Sequence, residues 1–125
     1  MRKIRILVVD QNQLLREGLS LLIQLQPDME LADVATSARE GVDSFTQHKP
    51  DVTLMDLDLP SRTGIAAIRE IRQIDPNACV LGLLTYEWDR SRDEALRAGA
   101  YSCLTKDRLN DDLVPAVRRC LGLDA

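Results

Sequence analysis

Three features are scarce or missing in this sequence, and each one argues against a class of function. The three cysteines lie far apart and fit neither a disulfide framework nor a zinc motif, so a reducing cytoplasm is the natural compartment. No apolar run approaches the length of a membrane span, and we expect no membrane partner. The net charge of −4 offers no strongly basic surface, so we expect no direct binding of nucleic acid by this domain.

The chain is long enough for one domain. Its 125 residues suffice for a single packed core and are too few for two ordinary domains, so we assign residues 1–125 to one domain. The basic N-terminus leads into a short apolar run that ends at Asp10, which indicates a strand rather than a signal peptide. The sequence has no internal repeat, low-complexity tract or evident linker.

Apolar runs alternate with helical stripes, as in five successive βα units. The runs predict strands at residues 4–9, 29–35, 52–55, 79–84 and 101–104. The third and fourth runs are almost continuously apolar, which is typical of buried parallel strands. Because βα crossovers are right-handed, the helices should cover both faces of the sheet. The predicted fold class is α/β: a flavodoxin-like, doubly wound, five-stranded parallel sheet with strand order 2-1-3-4-5.

The helices carry recognisable start and stop signals. Ser37 is followed three residues later by Glu40, the spacing of a capping box, and that helix should run to about Lys49. Pro60 and Gly64 frame a predicted loop, and an isoleucine stripe after it predicts the next helix.

Polar residues follow four of the predicted strands at the point where each strand ends. Asp10, Asp56 and Thr85 follow the first, third and fourth apolar runs, and Lys106 follows the last. The carboxyl ends of parallel strands share one edge of the sheet, where open α/β sheets bind ligands. Two carboxylates, a hydroxyl and an ammonium at one edge suit metal-assisted phosphoryl transfer onto a carboxylate.

These motifs resemble the receiver domain of bacterial two-component response regulators over essentially the whole chain. Any one motif alone would be weak, but four in the right order, each at a strand end, are specific. The stretch around Gly18 and the Lys106-Asp107 pair look most like the NarL/FixJ (LuxR-type) subgroup. The matching segments are Val-Val-Asp10, Leu-Met-Asp56-Leu-Asp58-Leu-Pro60 with Gly64, Leu-Leu-Thr85, and Gly99 through Asp107.

The resemblance implies a role for each strand-end residue. Asp56 is the phosphoacceptor, and Mg²⁺ is held by Asp10, Asp56 and the backbone carbonyl of Asp58. Lys106 supplies a second cation, and Thr85 hydrogen-bonds the attached phosphoryl group and draws its loop inward. Such a domain is a signalling module rather than an enzyme, with at most self-phosphorylation and self-dephosphorylation at Asp56.

The chain departs from the family pattern beside Asp10. Gln11 stands where the family has a second acidic residue that contacts the metal, so Mg²⁺ binding through Gln11 should be weak or lost. The side chain of Asp58 either faces solvent, as its position usually does, or swings in as a substitute carboxylate.

Two further departures concern aromatic residues. Tyr86 follows Thr85 where a small residue is usual, and its ring either narrows the entry to Asp56 or lies flat on the surface. Cys103 replaces the usual aromatic that swings inward on activation. Tyr101 should lie on the same side of its strand, where it stands in for that aromatic or simply packs.

Two functions from different classes follow. The first is a switch in which a sensor histidine kinase phosphorylates Asp56 and an output domain responds. The alternative is a phosphorylation-independent pseudo-receiver that acts as a protein-interaction module. A flavodoxin-like cofactor binder is remote, because no phosphate-cradling loop follows the first strand. The resemblance allows a C-terminal helix-turn-helix output domain outside this chain and a homodimer, and a truncated regulator would look the same as a stand-alone receiver.

Overall fold

The computed structural model describes residues 2–123, in which five parallel strands alternate with five α-helices. Single 3₁₀ turns at Pro60–Arg62 and Lys106–Arg108 precede the third and fifth helices. The elements are β1 (Ile4–Val9), α1 (Gln13–Gln24), β2 (Met29–Ala35), α2 (Ala38–His48), β3 (Val52–Asp56), α3 (Thr63–Ile74), β4 (Cys79–Leu84), α4 (Ser91–Ala98), β5 (Ser102–Thr105) and α5 (Leu109–Cys120).

The sheet has the predicted topology. Its strand order is β2-β1-β3-β4-β5, and every neighbouring pair is parallel. Successive side chains of β1 point to opposite faces: Leu7 and Val9 join the core beneath α2, α3 and α4, while Ile6 and Val8 join the core beneath α1 and α5. The helices therefore cover both faces, and the doubly wound α/β prediction is confirmed.

The start of α2 has the predicted N-cap, but the Glu40 side chain bonds Thr36 and not the cap residue. The Ser37 side chain accepts a hydrogen bond from the Glu40 amide at 3.2 Å, as an N-cap should. The Glu40 carboxylate reaches back to Thr36, one residue before the cap, and accepts from both its amide and its hydroxyl. Two backbone donors at this helix start are thereby satisfied.

The loop before α3 is shorter than the sequence predicts. Gly64 lies in the first turn of α3, which already begins at Thr63. The helix also lies close to β3 at this point, since a β-carbon on Gly64 would overlap the carbonyl oxygen of Asp56. Gly64 is thus required by packing rather than by a turn. Within residues 2–123, no helix combines the length and apolarity that crossing a membrane needs.

Candidate functional site

The carboxyl ends of β1, β3, β4 and β5 bring the four predicted side chains to one edge of the sheet. Asp10 follows β1, Asp56 is the last residue of β3, Thr85 follows β4 and Lys106 follows β5. Lys106 is the centre of the group: its Nζ lies 2.9 Å from Asp56 Oδ1 and 3.5 Å from Asp10 Oδ2. Thr85 joins the group through a hydrogen bond to the side chain of Asp58.

The two aspartates are held by the same local device. Asp10 Oδ1 accepts a hydrogen bond from the Asn12 amide at 2.8 Å, and Asp56 Oδ1 accepts one from the Asp58 amide at 2.8 Å. In each case the carboxylate bonds the backbone two residues further on, as in an Asx turn. Each side chain therefore has one fixed oxygen and one oxygen left over.

The leftover oxygens are buried. Both aspartates are 0% exposed, and neither Asp10 Oδ2 nor Asp56 Oδ2 has a hydrogen-bond partner among the described residues. A buried polar atom without a partner carries a free-energy cost, and such atoms often mark a place for an ion or a ligand. Here they belong to the two carboxylates that the resemblance assigns to the metal.

Burial and charge act in opposite directions on these groups. The pKa of Asp10 is raised above its ordinary value chiefly by burial, which the Asn12 amide opposes and the neighbouring charge of Asp56 reinforces. Burial acts to lower the pKa of Lys106, but its hydrogen bond to Asp56 and the surrounding carboxylates outweigh burial and raise it. Lys106 is therefore a firmly charged cation.

The loop after β3 is anchored to the core at two points. Leu57 and Leu59 are buried at 5% and 4% exposure, while Asp58 between them is directed away from the core. This alternation and the hydrogen bond from the Asp58 amide to Asp56 direct the Asp58 side chain towards Lys106.

The Asp58 carboxylate is partly exposed and is held at the site by Thr85 and Lys106. Its Oδ2 accepts a hydrogen bond from Thr85 Oγ1 at 2.5 Å and lies 3.1 Å from Lys106 Nζ. The sequence shows an acidic residue just beyond the acceptor and a hydroxyl and an ammonium at neighbouring strand ends, but it does not give the direction of the Asp58 side chain.

Gln11 is exposed beside the site. Its Nε2 lies 3.5 Å from the carbonyl oxygen of Asp58, the oxygen that the resemblance assigns to Mg²⁺. In this orientation the amide of Gln11 presents a donor, not a ligand, to that position. Weak or lost metal binding through Gln11 remains a prediction.

The oxygen atoms at the site suit a hard divalent cation, and two carboxylates supply the negative charge. Two free carboxylate oxygens, on Asp10 and Asp56, are oxygen ligands of the kind that Mg²⁺ prefers. In the part of the chain that the structure describes, no three His, Cys, Asp or Glu side chains are grouped so that they could hold a metal ion. The residues present thus fit Mg²⁺ with two carboxylates, and backbone oxygen and water would have to complete its shell.

Tyr86 and Tyr101 both lie on the surface. Tyr86 is 55% exposed and stacks on Trp88, with ring centroids 5.1 Å apart. Tyr101 lies just before β5, at the opposite end of that strand from Lys106, and is half-exposed. Cys103 is buried, so this position presents no ring to the site.

Buried paired carboxylates, a lysine and a threonine at the carboxyl edge of a 2-1-3-4-5 sheet define a receiver domain. The chain belongs to the response regulator receiver domain family, whose model matches residues 6–118. It is the receiver domain of a two-component response regulator, and its similarities include regulators of the LuxR family.

Known proteins support this assignment at the level of sequence and fold. The chain is 36% identical over 116 residues to the uncharacterized transcriptional regulatory protein YxjL of Bacillus subtilis, a match that covers 93% of this chain and 53% of that protein. It therefore spans about half the length of this curated relative.

Two solved structures are also similar. The response regulator domain of Thermotoga maritima CheB gives a TM-score of 0.88 at 32% identity, over 99% of this chain and 100% of that one. A LuxR-family two-component response regulator from an Aurantimonas species gives a TM-score of 0.90 at 33% identity, over 98% of this chain and 87% of that one. The NarL/FixJ-type resemblance is consistent with this LuxR-family relative.

Proposed function

We propose that this receiver domain is a phosphorylation-dependent switch that accepts a phosphoryl group on Asp56 from a sensor histidine kinase. The observation that carries the proposal is the state of the Asp56 carboxylate. One oxygen is fixed by the Asp58 amide and by Lys106, and the other is buried without a hydrogen-bond partner among the described residues. The free oxygen is an oriented nucleophile.

The chain's own groups account for the transfer. The free Asp56 oxygen attacks phosphorus, its new O–P bond forms as the donor's N–P bond breaks, and the donor imidazole leaves. Lys106 holds the other Asp56 oxygen and offsets part of the negative charge. Mg²⁺ held between Asp10 and Asp56 would supply the further positive charge that two anionic reactants need. Later attack of water on phosphorus breaks the O–P bond, releases inorganic phosphate and restores the Asp56 carboxylate.

The state of Asp56 is read through the loops that carry Thr85 and Lys106. Both residues lie at the roots of the last two βα connections, so a phosphoryl group bound to them biases α4, β5 and α5, or the α1 and α5 surface. The recipient is a DNA-binding output domain in a transcriptional regulator that works in the cytoplasm. The name of the YxjL relative and the LuxR-family similarity support that choice.

A small phosphodonor tests the proposal directly. We expect acetyl phosphate to modify the wild-type chain when Mg²⁺ is present, to fail when EDTA removes the metal, and to leave Asp56→Asn unmodified. Intact mass spectrometry measures the modification. Asp107→Asn is the matched control, because its exposed carboxylate lies outside the site, and it should be modified like wild type. A wild-type chain that stays unmodified at saturating Mg²⁺ would contradict the proposal.

One observation favours the pseudo-receiver as a second candidate. Gln11 removes a charge from the metal position and directs an amide nitrogen at the Asp58 carbonyl. A chain that binds neither Mg²⁺ nor a phosphoryl mimic, yet still regulates its output in Asp56→Asn form, would be such a module.

A further inference from the structure

We propose that the Asp58 carboxylate is an internal competitor of the phosphoryl group, occupying in the resting protein the place on Thr85 and Lys106 that the phosphoryl oxygens take after transfer. This inference rests on the proposed function and adds a residue to it. Asp58 is a positioning residue, since it acts through Thr85 and Lys106 and not on phosphorus.

The hydroxyl of Thr85 makes the competition direct. A threonine has one O–H proton to donate, and here it is directed to Asp58 Oδ2 at 2.5 Å. The same proton cannot also be donated to a phosphoryl oxygen. Lys106 has three N–H donors, and it is shared among Asp56 at 2.9 Å, Asp58 at 3.1 Å and, more distantly, Asp10.

The local backbone keeps Asp58 in this place while leaving its side chain free to depart. Leu57 and Leu59 anchor the loop in the core, and the Asp58 amide donates to Asp56 Oδ1. The Asp58 side chain is itself 30% exposed. A rotation about its own side-chain bonds can therefore move the carboxylate into solvent without moving the loop.

The arrangement has two consequences. A phosphoryl group must displace a carboxylate that is also negatively charged before Thr85 can bind it, so phosphoryl binding is weaker than the site would allow without Asp58. The Thr85 hydroxyl is also already hydrogen-bonded in the resting state. A ligand shifts a conformational equilibrium only by the difference between its affinities for the two states. Phosphorylation therefore shifts the equilibrium less than it would if the Thr85 hydroxyl were free at rest.

Beryllofluoride with saturating Mg²⁺ is the probe, and NMR titration of amides near Asp56 measures its affinity. We expect Asp58→Ala to bind it about tenfold more tightly than wild type, the effect of removing one charge-assisted competing hydrogen bond. Asp58→Asn should raise the affinity less, because its amide oxygen can still accept a hydrogen bond from Thr85. Asp107→Ala, which removes an equal charge beside Lys106, is the control and should bind like wild type.

The gain must depend on Thr85. In a Thr85→Ala background, Asp58→Ala should raise the affinity by clearly less than in wild type, because only the competition for Lys106 is left. An equal gain in both backgrounds would mean that Asp58 does not compete for the Thr85 hydroxyl, and it would overturn the proposal.

A measurement without ligand separates this inference from the proposed function. The amide and methyl signals of Thr85 in the free protein should shift in Asp58→Ala and stay in place in Asp107→Ala. Unchanged Thr85 signals in Asp58→Ala overturn the competitor proposal, whether or not Asp56 is ever phosphorylated. If beryllofluoride binds to none of the variants while Thr85 does shift, the phosphoacceptor role of Asp56 fails and the Asp58 contact stands.

Discussion

The Cα of Gly64 faces the carbonyl oxygen of Asp56 so closely that any β-carbon would overlap it. The first turn of α3 is thereby packed directly on the backbone of the proposed phosphoacceptor. We expect Gly64→Ala to lower the free energy of unfolding by about 2 kcal/mol or more, because the backbone on both sides must shift. Urea denaturation followed by circular dichroism measures the change.

Gly18 is the matched control for that substitution. It lies in the middle of α1, and a β-carbon there would meet no atom outside its own helix within 4 Å. We expect Gly18→Ala to stabilise the protein by about 0.5–1 kcal/mol through helix propensity. If Gly64→Ala is as harmless as Gly18→Ala, α3 does not pack on Asp56 as described.

Gln11→Asp should strengthen Mg²⁺ binding. The substitution replaces a neutral amide with a carboxylate beside Asp10 and Asp56, and we expect a gain of about tenfold in affinity. Amide shifts near Asp56 during a Mg²⁺ titration measure it. Gln13→Asp adds the same charge at the exposed start of α1 and should give a much smaller gain. Equal gains in the two variants would show that overall charge, not a ligand at position 11, limits the affinity.

Tyr86→Ala should leave the phosphorylation rate with acetyl phosphate within about twofold of wild type. The ring is mostly exposed and stacks on Trp88, so its removal should not widen the path to Asp56. Trp88 emission should change in the same variant, which shows that the stack was lost. A several-fold faster reaction would place the ring over the entrance instead.

Phosphoryl mimicry should produce a response that needs Thr85 and not Tyr101. With beryllofluoride bound, we expect amide shifts from α4 through Lys106 in wild type and in Tyr101→Ala, and a loss of these shifts in Thr85→Ala. Tyr101 lies just before β5, at the opposite end of that strand from Lys106, so we do not expect its ring to reach the site. Shifts that disappear in Tyr101→Ala would show that it has taken the role of the missing aromatic.

The start of α2 should contribute stability that depends on pH. The pKa of Glu40 lies below its ordinary value because the carboxylate accepts hydrogen bonds from the Thr36 hydroxyl and amide. A depressed pKa in the folded state gives stability that is present above the unfolded-state pKa and is lost as pH falls through the folded-state pKa.

Glu40→Gln should therefore unfold at lower urea than wild type at about pH 7, and the difference should shrink towards about pH 2.5. Glu17→Gln, at an exposed position of α1, is the control and should change little. A difference that stays constant with pH would mean that the charge of Glu40 does not stabilise the helix start.

The sheet and its order could be predicted because the pattern of each strand is local. The apolar run that became β3 ends at Asp56, and the alternation of runs and stripes leaves few ways to connect parallel strands. The cluster of Asp10, Asp56 and Lys106 follows from that topology alone.

The partner of Asp58 could not be predicted in the same way. Its direction depends on how deeply Leu57 and Leu59 are inserted in the core, which no local pattern encodes. The start of α3 could not be predicted for a similar reason, since the contact between Gly64 and Asp56 joins two different elements and has no periodic signature. The stack of Tyr86 on Trp88 likewise needs the loop conformation.

The repeated turn at Asp10 and Asp56 has an entropic consequence. Each side chain is tied to the amide two residues further on, so its rotamer is set before any ligand arrives. Ordering a mobile side chain upon binding costs about 0.5–1.5 kcal/mol. At Asp10 and Asp56 this conformational entropy is already lost when the chain folds. Binding of a cation by Asp10 and Asp56 therefore loses little free energy to the ordering of these two side chains.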